Sequence, residues 1–289
     1  MKKLVHVAVG VIFDCDTDCD KASAKILIAK RADHQYQGGL WEFPGGKVET
    51  GESAKVALQR ELEEELGLQS SIDDMHPLIT IPFHYPAANK AIIDALLLPK
   101  QIAISQDNTR PDIILNQVAN TLKNHTNIWI QLRAPSLDQM QYTQLAMKLY
   151  GICHEAGSKL IWNCPLDWYQ IAFADGLHLS NRNFNAVIVN EKERLIPVNQ
   201  WLSAACHNLP ELEAVQGLAD YVLVSPVHET KTHPRANALT WSGFKVITDQ
   251  ARIPCYALGG MDISEFEHCI QSGGQGIAGI RGFLIEEKI

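Results

Sequence analysis

The sequence carries no cysteine framework. Its seven cysteines, Cys15, Cys19, Cys153, Cys164, Cys206, Cys255 and Cys269, are scattered and odd in number. That excludes a disulfide-stapled scaffold and points to free thiols in a reducing cytosol. Cys15 and Cys19 stand close together, but no second pair follows to complete a zinc site. Long apolar runs are also missing, since nothing approaches the roughly 20 residues needed to span a bilayer. The stretch from Leu4 to Phe13 is short, contains His6 and runs into Asp14-Cys15-Asp16 with no cleavage-like site, so no signal peptide is expected. Nor is there an excess of positive charge: 25 Lys and Arg face 33 Asp and Glu, for a net charge of -8. A binder of nucleic-acid duplexes needs a basic field and is excluded, whereas small phosphorylated ligands held by a metal are not. The expectation is a cytoplasmic protein with no membrane association and no obligate protein partner.

What is present is a globular composition, 46% hydrophobic and 20% charged over 289 residues. At roughly 150 residues per domain this length suits two domains. Residues Val5 to Phe13 and Lys25 to Ala29 read as two strands joined by a polar tip. In that tip Asp14, Asp16 and Asp18 lack the glycine and closing glutamate of a calcium loop. From Ser53 the apolar positions Val56, Leu58, Leu62 and Leu66 take a helical period, with Ser53 as a cap and Gly67 as the stop. Pro77 to Phe83 reads as a further strand and Asn89 to Leu98 as a short apolar helix. Beyond Pro99 short strands alternate with helices. The strands are Gln101–Ser105, Ile128–Arg133, Lys159–Asn163, Gly176–Ser180, Leu202–Cys206, Tyr221–Ser225, Cys255–Gly259 and Gly276–Ile280. Helices are expected at Ser136–Ala156 and Ile263–Ser272. Eight such units predict a compact (β/α)8 barrel. No low-complexity linker separates the halves, so the domains are placed at 1–98 and 100–289.

The chemistry concentrates between Gly46 and Leu68. Glu61, Glu64 and Glu65 fall at i, i+3 and i+4 of the helix and so share one face. Stacked like charges destabilise a bare helix, and the arrangement makes sense around a hard divalent cation such as Mg2+ or Mn2+. Such an ion can bridge phosphate oxygens and activate a water. Arg60 is placed to hold a carboxylate in its rigid fork, and Gly45 and Gly46 let the backbone approach metal and phosphate closely. Taken alone, Gln59 to Leu66 would pass for a solvated Glu-rich helix. The spacing of Gly46, Glu52, Arg60-Glu61-Leu62, Glu64-Glu65 and Gly67-Leu68 fills every fixed position of G-x5-E-x7-R-E-U-x-E-E-x-G-U, the box of the Nudix hydrolases, which the chain resembles here.

Within that family the resemblance is to the MutT type. It is carried by Val7-Ala8-Val9-Gly10-Val11-Ile12, by Leu40-Trp41-Glu42-Phe43-Pro44-Gly45-Gly46-Lys47 and by Pro86-Ala87-Ala88-Asn89. The resemblance implies an α/β/α module hydrolysing 8-oxo-dGTP to 8-oxo-dGMP and pyrophosphate with Mg2+ or Mn2+. Glu61, Glu64, Glu65 and Gly45 would be the metal ligands and Glu52 a supporting ligand or base. Arg60 would orient the carboxylates, and Phe43, Lys47 and Asn89 would contact the nucleotide. Asn89 could equally cap its helix. One departure stands out: Tyr85-Pro86 runs directly into Ala87-Ala88-Asn89. The strands and the additional metal-binding Glu that the family carries between these segments are missing, so the module is shortened.

The second half resembles thiamine phosphate synthase and its TenI-like relatives. The matching segments are Gln131-Leu132-Arg133, Asn163, Ala174-Asp175-Gly176-Leu177-His178-Leu179, Asp220-Tyr221-Val222, Ser225-Pro226-Val227 and Ala257-Leu258-Gly259-Gly260-Met261. The resemblance implies a phosphorylated ligand bound by Arg133 and by the backbone of Gly259, Gly260 and the Arg281-Gly282 turn. Cys164 and Asn183 stand where synthases place metal-binding aspartates, and Pro135 replaces a lysine. A thiol and an amide cannot replace carboxylates around a hard cation, so thiamine phosphate synthesis itself is disfavoured. His207 matches the TenI histidine; it either moves a proton or ties down a loop. His178 reads as a buried, satisfied strand residue. His228 and His233 lie in a loop where a phosphate contact is plausible. A non-catalytic, merely stabilising Nudix module is the remaining alternative.

Overall fold

A computed structural model describes residues 5–14, 24–31, 41–78, 88–180, 194–229, 238–280 and 282–283. The chain divides into two compact units, Met1–Pro77 and Leu78–Ile289. The positions of Cys15, Cys19, Asp16, Asp18, Pro86, Ala87, Asn183, His233 and Arg281, and the expected strand beyond Leu78, lie outside the described residues.

The first unit contains β1 (Val7–Val9), β2 (Ala29–Lys30), β3 (Trp41–Glu42), β4 (Gly45–Lys47) and α1 (Ala54–Leu66). β1 pairs antiparallel with β4 through Val7↔Lys47 and Val9↔Gly45. β2 pairs with β3 through Ala29↔Glu42. The expected hairpin of residues 5–13 and 25–29 is regular only in part. A Phe13↔Ile26 bridge and a Leu27 N–H bond to the Ile12 carbonyl (2.9 Å) mark its stem. Alternation sets the faces: Ala8 and Gly10 are buried while Val7 and Val9 are exposed. A Cβ on Gly10 would press on Leu58 of α1 at 3.1 Å, so the glycine lets helix and sheet close up. Ser53 caps α1 by accepting from the Val56 N–H (3.3 Å). Gly67 ends it at φ 64, with its own N–H on the Glu63 carbonyl and Leu68 N–H on Leu62. Val56, expected on the apolar face, is 41% exposed; Ala57 and Leu62 make the buried contacts instead.

The second unit opens with α2 (Ala88–Leu97), followed by β5 (Gln101–Ile104), α3 (Pro111–Asn124), β6 (Ile128–Arg133), α4 (Gln139–Glu155) and β7 (Leu160–Asn163). It continues with β8 (Gly176–Leu179), β9 (Trp201–Cys206), α5 (Leu209–Val215), β10 (Tyr221–Val224), α6 (Thr240–Thr248), β11 (Cys255–Leu258), α7 (Phe266–Gln271) and β12 (Gly276–Gly279). All eight expected strands form, and they close into one barrel. Every pairing is parallel, and β12 meets β5 through Ile277↔Gln101 and Gly279↔Ala103. Two 3-10 turns, Leu166–Trp168 and Ile171–Phe173, replace a helix between β7 and β8. α4 starts later than expected because Asp138 and Gln141 form a capping box.

Strand alternation sorts the core into two layers. Ile128, Ile130 and Leu132 of β6 pack outward against the helices, with Leu149, Trp162, Leu177 and Phe244. Trp129 of the same strand faces the interior with Ile102, Ile161, Tyr221, Leu223 and Tyr256. α2 belongs to this unit rather than to the domain ending at 98. Leu98 joins the interior cluster, Gln275 Nε2 donates to the Ala95 carbonyl (2.7 Å), and the Tyr256 hydroxyl donates to the Pro99 carbonyl (2.5 Å). α2 thereby floors the barrel at the strands' amino ends.

Trp162 is fully buried and its Nε1 donates to the Phe173 carbonyl at 2.9 Å. Trp162→Ala is expected to cost about 3–5 kcal/mol in urea unfolding. A cost under about 1 kcal/mol would contradict this placement in the core.

Candidate active sites

In the first unit one guanidinium organises the acidic helix face. Arg60 Nε and Nη2 donate to the two oxygens of Glu52 at 3.0 and 3.1 Å. Nη1 donates to Glu61 at 2.9 Å and to Glu64 at 3.4 Å, and Nη2 also reaches the Lys47 carbonyl at 3.0 Å. Paired donors in a fixed fork suit carboxylates in a way a lysine could not. The Glu49 N–H adds a bond to Glu52 Oε2 (3.0 Å). The Arg60 contact and then the Glu49 amide hold the Glu52 carboxyl below its ordinary 4.5. Arg60 in turn is raised, first by Glu52 and then by Glu61.

Gly46 has a steric reason to be glycine: any Cβ there would overlap the Glu61 carboxyl. Gly45, at φ 147, leaves no room for a Cβ beside the Ala8 carbonyl. Glu65 is exposed as a residue, yet its carboxyl is partly desolvated. That desolvation, then Glu61 and Glu42, push its pKa up, against a hydrogen bond from the Gly45 N–H. Glu42 is a contributor that the sequence analysis missed. It stands on β3, where Arg31 Nη1 donates to it at 3.0 Å, and no motif in the sequence marks it.

The carboxylates of Glu61, Glu64 and Glu65 are oxygen donors of the kind a hard divalent cation takes. Among the described residues, however, no three His, Cys, Asp or Glu side chains are gathered closely enough to hold an ion. One Glu61 oxygen is engaged by Arg60, and Glu64 is 61% exposed. The donor chemistry therefore fits such a cation, while the side chains do not converge on one point. Lys47 contributes its carbonyl, and Phe43 is buried. Asn89 is the second residue of α2, and its side chain lies outside the described residues.

In the barrel, the carboxy ends of the strands carry the expected residues, where sites of this architecture lie. Arg133 and Gln131 share the inward phase of Trp129. Arg133 has no hydrogen bond or ion pair from its guanidinium among the described residues, and the Gln131 Oε1 is buried without a partner. His178 is fully buried, with Nδ1 2.9 Å from the Ser203 Oγ. Desolvation, then the charge of Arg133, lower its pKa to about 3, so it stays neutral, and its burial and bond to Ser203 match the expected buried, satisfied strand residue. His207 Nδ1 lies 2.6 Å from the Ser225 carbonyl. A carbonyl only accepts, so Nδ1 carries the proton and Nε2 is left with a free lone pair. The His207 N–H is held by Glu211 Oε2 at 2.8 Å.

Gly259 (φ 100) and Gly260 (φ 74) sit against Pro226 and His228, too close for a Cβ. His228 Nε2 lies 3.4 Å from Glu265 Oε1, and it is buried without a hydrogen bond among the described residues. Burial pushes the Cys164 thiol up to about 12, so no thiolate forms where synthases have an aspartate. All five described cysteines are buried.

Residues 102–283 match the family described as thiamine monophosphate synthase, and residues 4–110 match the NUDIX domain. The chain is 29% identical over 188 residues to a putative thiamine-phosphate synthase 2 of Aquifex aeolicus, covering 65% of this chain and 98% of that one. It is 48% identical over 67 residues to an 8-oxo-dGTP diphosphatase of Proteus vulgaris, covering 23% of this chain and 54% of that one. The thiamine phosphate pyrophosphorylase structure from Pyrococcus furiosus superposes with a TM-score of 0.52 at 22% identity, covering 68% of this chain and 88% of that one. That likeness shows the barrel fold. No described helix is long and apolar enough to cross a membrane.

The Glu52–Arg60 pair gives a signed pH dependence. A carboxyl held below its ordinary value stabilises the fold above that value and loses the contribution as pH falls through the lowered one. Arg60→Gln should therefore be less stable than the wild type at neutral pH. The difference should shrink below 4.5, as read by urea unfolding across pH. A pH-independent difference would remove Glu52 as the titrating partner.

Proposed function

Because the chain belongs to the thiamine monophosphate synthase family and carries a NUDIX domain ahead of that barrel, we propose a two-site enzyme. Its amino-terminal unit hydrolyses an oxidised purine nucleoside triphosphate, with 8-oxo-dGTP giving 8-oxo-dGMP and pyrophosphate. The observation that carries this is the Arg60 hub, which fixes Glu52, Glu61 and Glu64 while Gly46 leaves space for the Glu61 carboxyl. The 67-residue match to the diphosphatase supports the substrate class.

Glu61, Glu64 and Glu65, with the Gly45 carbonyl, would hold Mg2+ or Mn2+. When bound, that ion neutralises charge on the diphosphate and acidifies a water. Glu52, kept ionised by Arg60, can accept the proton of the attacking water. The water oxygen bonds to phosphorus, the bond to the departing pyrophosphate breaks, and the proton returns to solvent. Arg60 contributes by holding the carboxylates in register.

The barrel supports a second reading, a thiamin-pathway step on a phosphorylated ligand such as a TenI-like thiazole tautomerisation. Arg133, whose guanidinium has no partner among the described residues, offers a cation for the phosphate. The Nε2 of His207, made a base by the Nδ1 contact to Ser225, would take a carbon-bound proton and return it elsewhere on the ring. The neutral Cys164 argues against a metal-pyrophosphate grip there.

Purified full-length protein should release pyrophosphate from 8-oxo-dGTP faster than from dGTP, and only with Mg2+. Glu64→Gln should lower the rate by about 100-fold or more. Folded protein without turnover would leave the amino-terminal unit a non-catalytic module. Barrel activity, assayed as tautomerisation of a thiazole phosphate, should survive Glu64→Gln and EDTA but be lost in His207→Asn. Survival in His207→Asn would make that histidine a loop tie only.

A further inference from the structure

The end of β6 is anchored more heavily than its neighbours. The Ser105 hydroxyl, fully buried at the end of β5, accepts from the Arg133 N–H at 2.7 Å and donates to the Arg133 carbonyl at 2.9 Å. The Ser105 N–H continues the ladder to the Gln131 carbonyl at 2.9 Å. On the other side, the Tyr142 hydroxyl donates to the Leu132 carbonyl (2.9 Å) and accepts from the Asn163 N–H (3.1 Å). Two residues beyond Ser105, Asp107 grips the following loop. Its Oδ1 takes the Ser136 N–H at 3.1 Å and its Oδ2 the Ser136 hydroxyl at 2.7 Å.

The Arg133 N–H and carbonyl thus have fixed partners, yet the guanidinium has none among the described residues. Its phase along β6 turns it into the barrel mouth, and its field reaches the buried His178. A cation carried on an anchored strand end, with no partner among the described residues, is prepared for an anion from outside.

Resting on the reading of the barrel as a site for a phosphorylated ligand, we infer that Ser105, reinforced by Asp107, is a positioning residue that aims Arg133 at the ligand's phosphate. Serine suits the task because one small hydroxyl both accepts and donates within a space closed on all sides. An alanine would leave the Arg133 N–H and carbonyl short of a partner and let the strand end relax. The Asp107–Ser136 clasp is more exposed, so its loss should loosen the loop without opening the core.

The test uses the full chain in EDTA, which silences the cation-dependent amino-terminal site, with inorganic pyrophosphate as probe and calorimetric titration as readout. Wild type should bind and Arg133→Gln should not. Failure of either overturns the barrel as an anion site and is separate from the present inference. Given both, Ser105→Ala and Asp107→Ala should each weaken binding by about tenfold, the equivalent of one or two hydrogen bonds. Ser105→Thr, which restores the hydroxyl, should recover most of the affinity. Unchanged affinity in both alanine variants, even with a lowered melting temperature, would reduce Ser105 to a structural residue and overturn the inference. Should Ser105→Ala fail to fold, Asp107→Ala decides alone.

Discussion

The barrel unit depends on one constraint, the closing of its hydrogen-bond ladder where β12 meets β5. Once Ile277, Ala278 and Gly279 register against Gln101, Ile102 and Ala103, there is no free edge. Every strand must then send alternate residues inward and outward. The outward set is uniformly apolar because helices cover it. The inward set changes along the strand, from Trp129, Tyr221 and Tyr256 near the floor to Gln131, His178 and Ser203, and then to Arg133 at the mouth. Buried polar groups cost least where they find a hydrogen-bond partner, as His178 does with Ser203, and a charged one is best kept where ligand or solvent can reach it. The same alternation that closes the core therefore also decides which end carries chemistry.

A different device works in the amino-terminal unit. Its sheet is small and its order comes from α1, whose glycine neighbours have no side chains. Gly10 admits Leu58 and Gly46 admits the Glu61 carboxyl. Arg60 then neutralises part of a helix face that would otherwise repel itself. Helix approach and carboxylate placement follow from one set of small residues.

Much of this was legible in the sequence because strong periodicity and fixed spacing leave few alternatives. The eight barrel strands, the Ser53 cap, the Gly67 stop and the buried, satisfied His178 all follow from local patterns. What escaped depends on partners far apart in sequence. Glu42 joins the site through a neighbouring helix, and Ser105 meets Arg133 28 residues on. The Lys47 carbonyl accepts from Arg60, a contact that no side-chain pattern can announce. Val56 was misassigned to the apolar face because the helical period was read from the apolar residues alone. The sheet actually selects the Ala57 and Leu62 side.

The helix at 88–97 carries a consequence of its own. It falls inside the stretch that matches the NUDIX domain, residues 4–110, yet Leu98 and the carbonyls of Ala95 and Pro99 are fastened to the barrel. A gene cut at the apparent seam would thus hand the barrel's base plate to the other fragment. The two halves are not interchangeable cassettes, and shuffling either into a new fusion would have to carry that helix with the barrel.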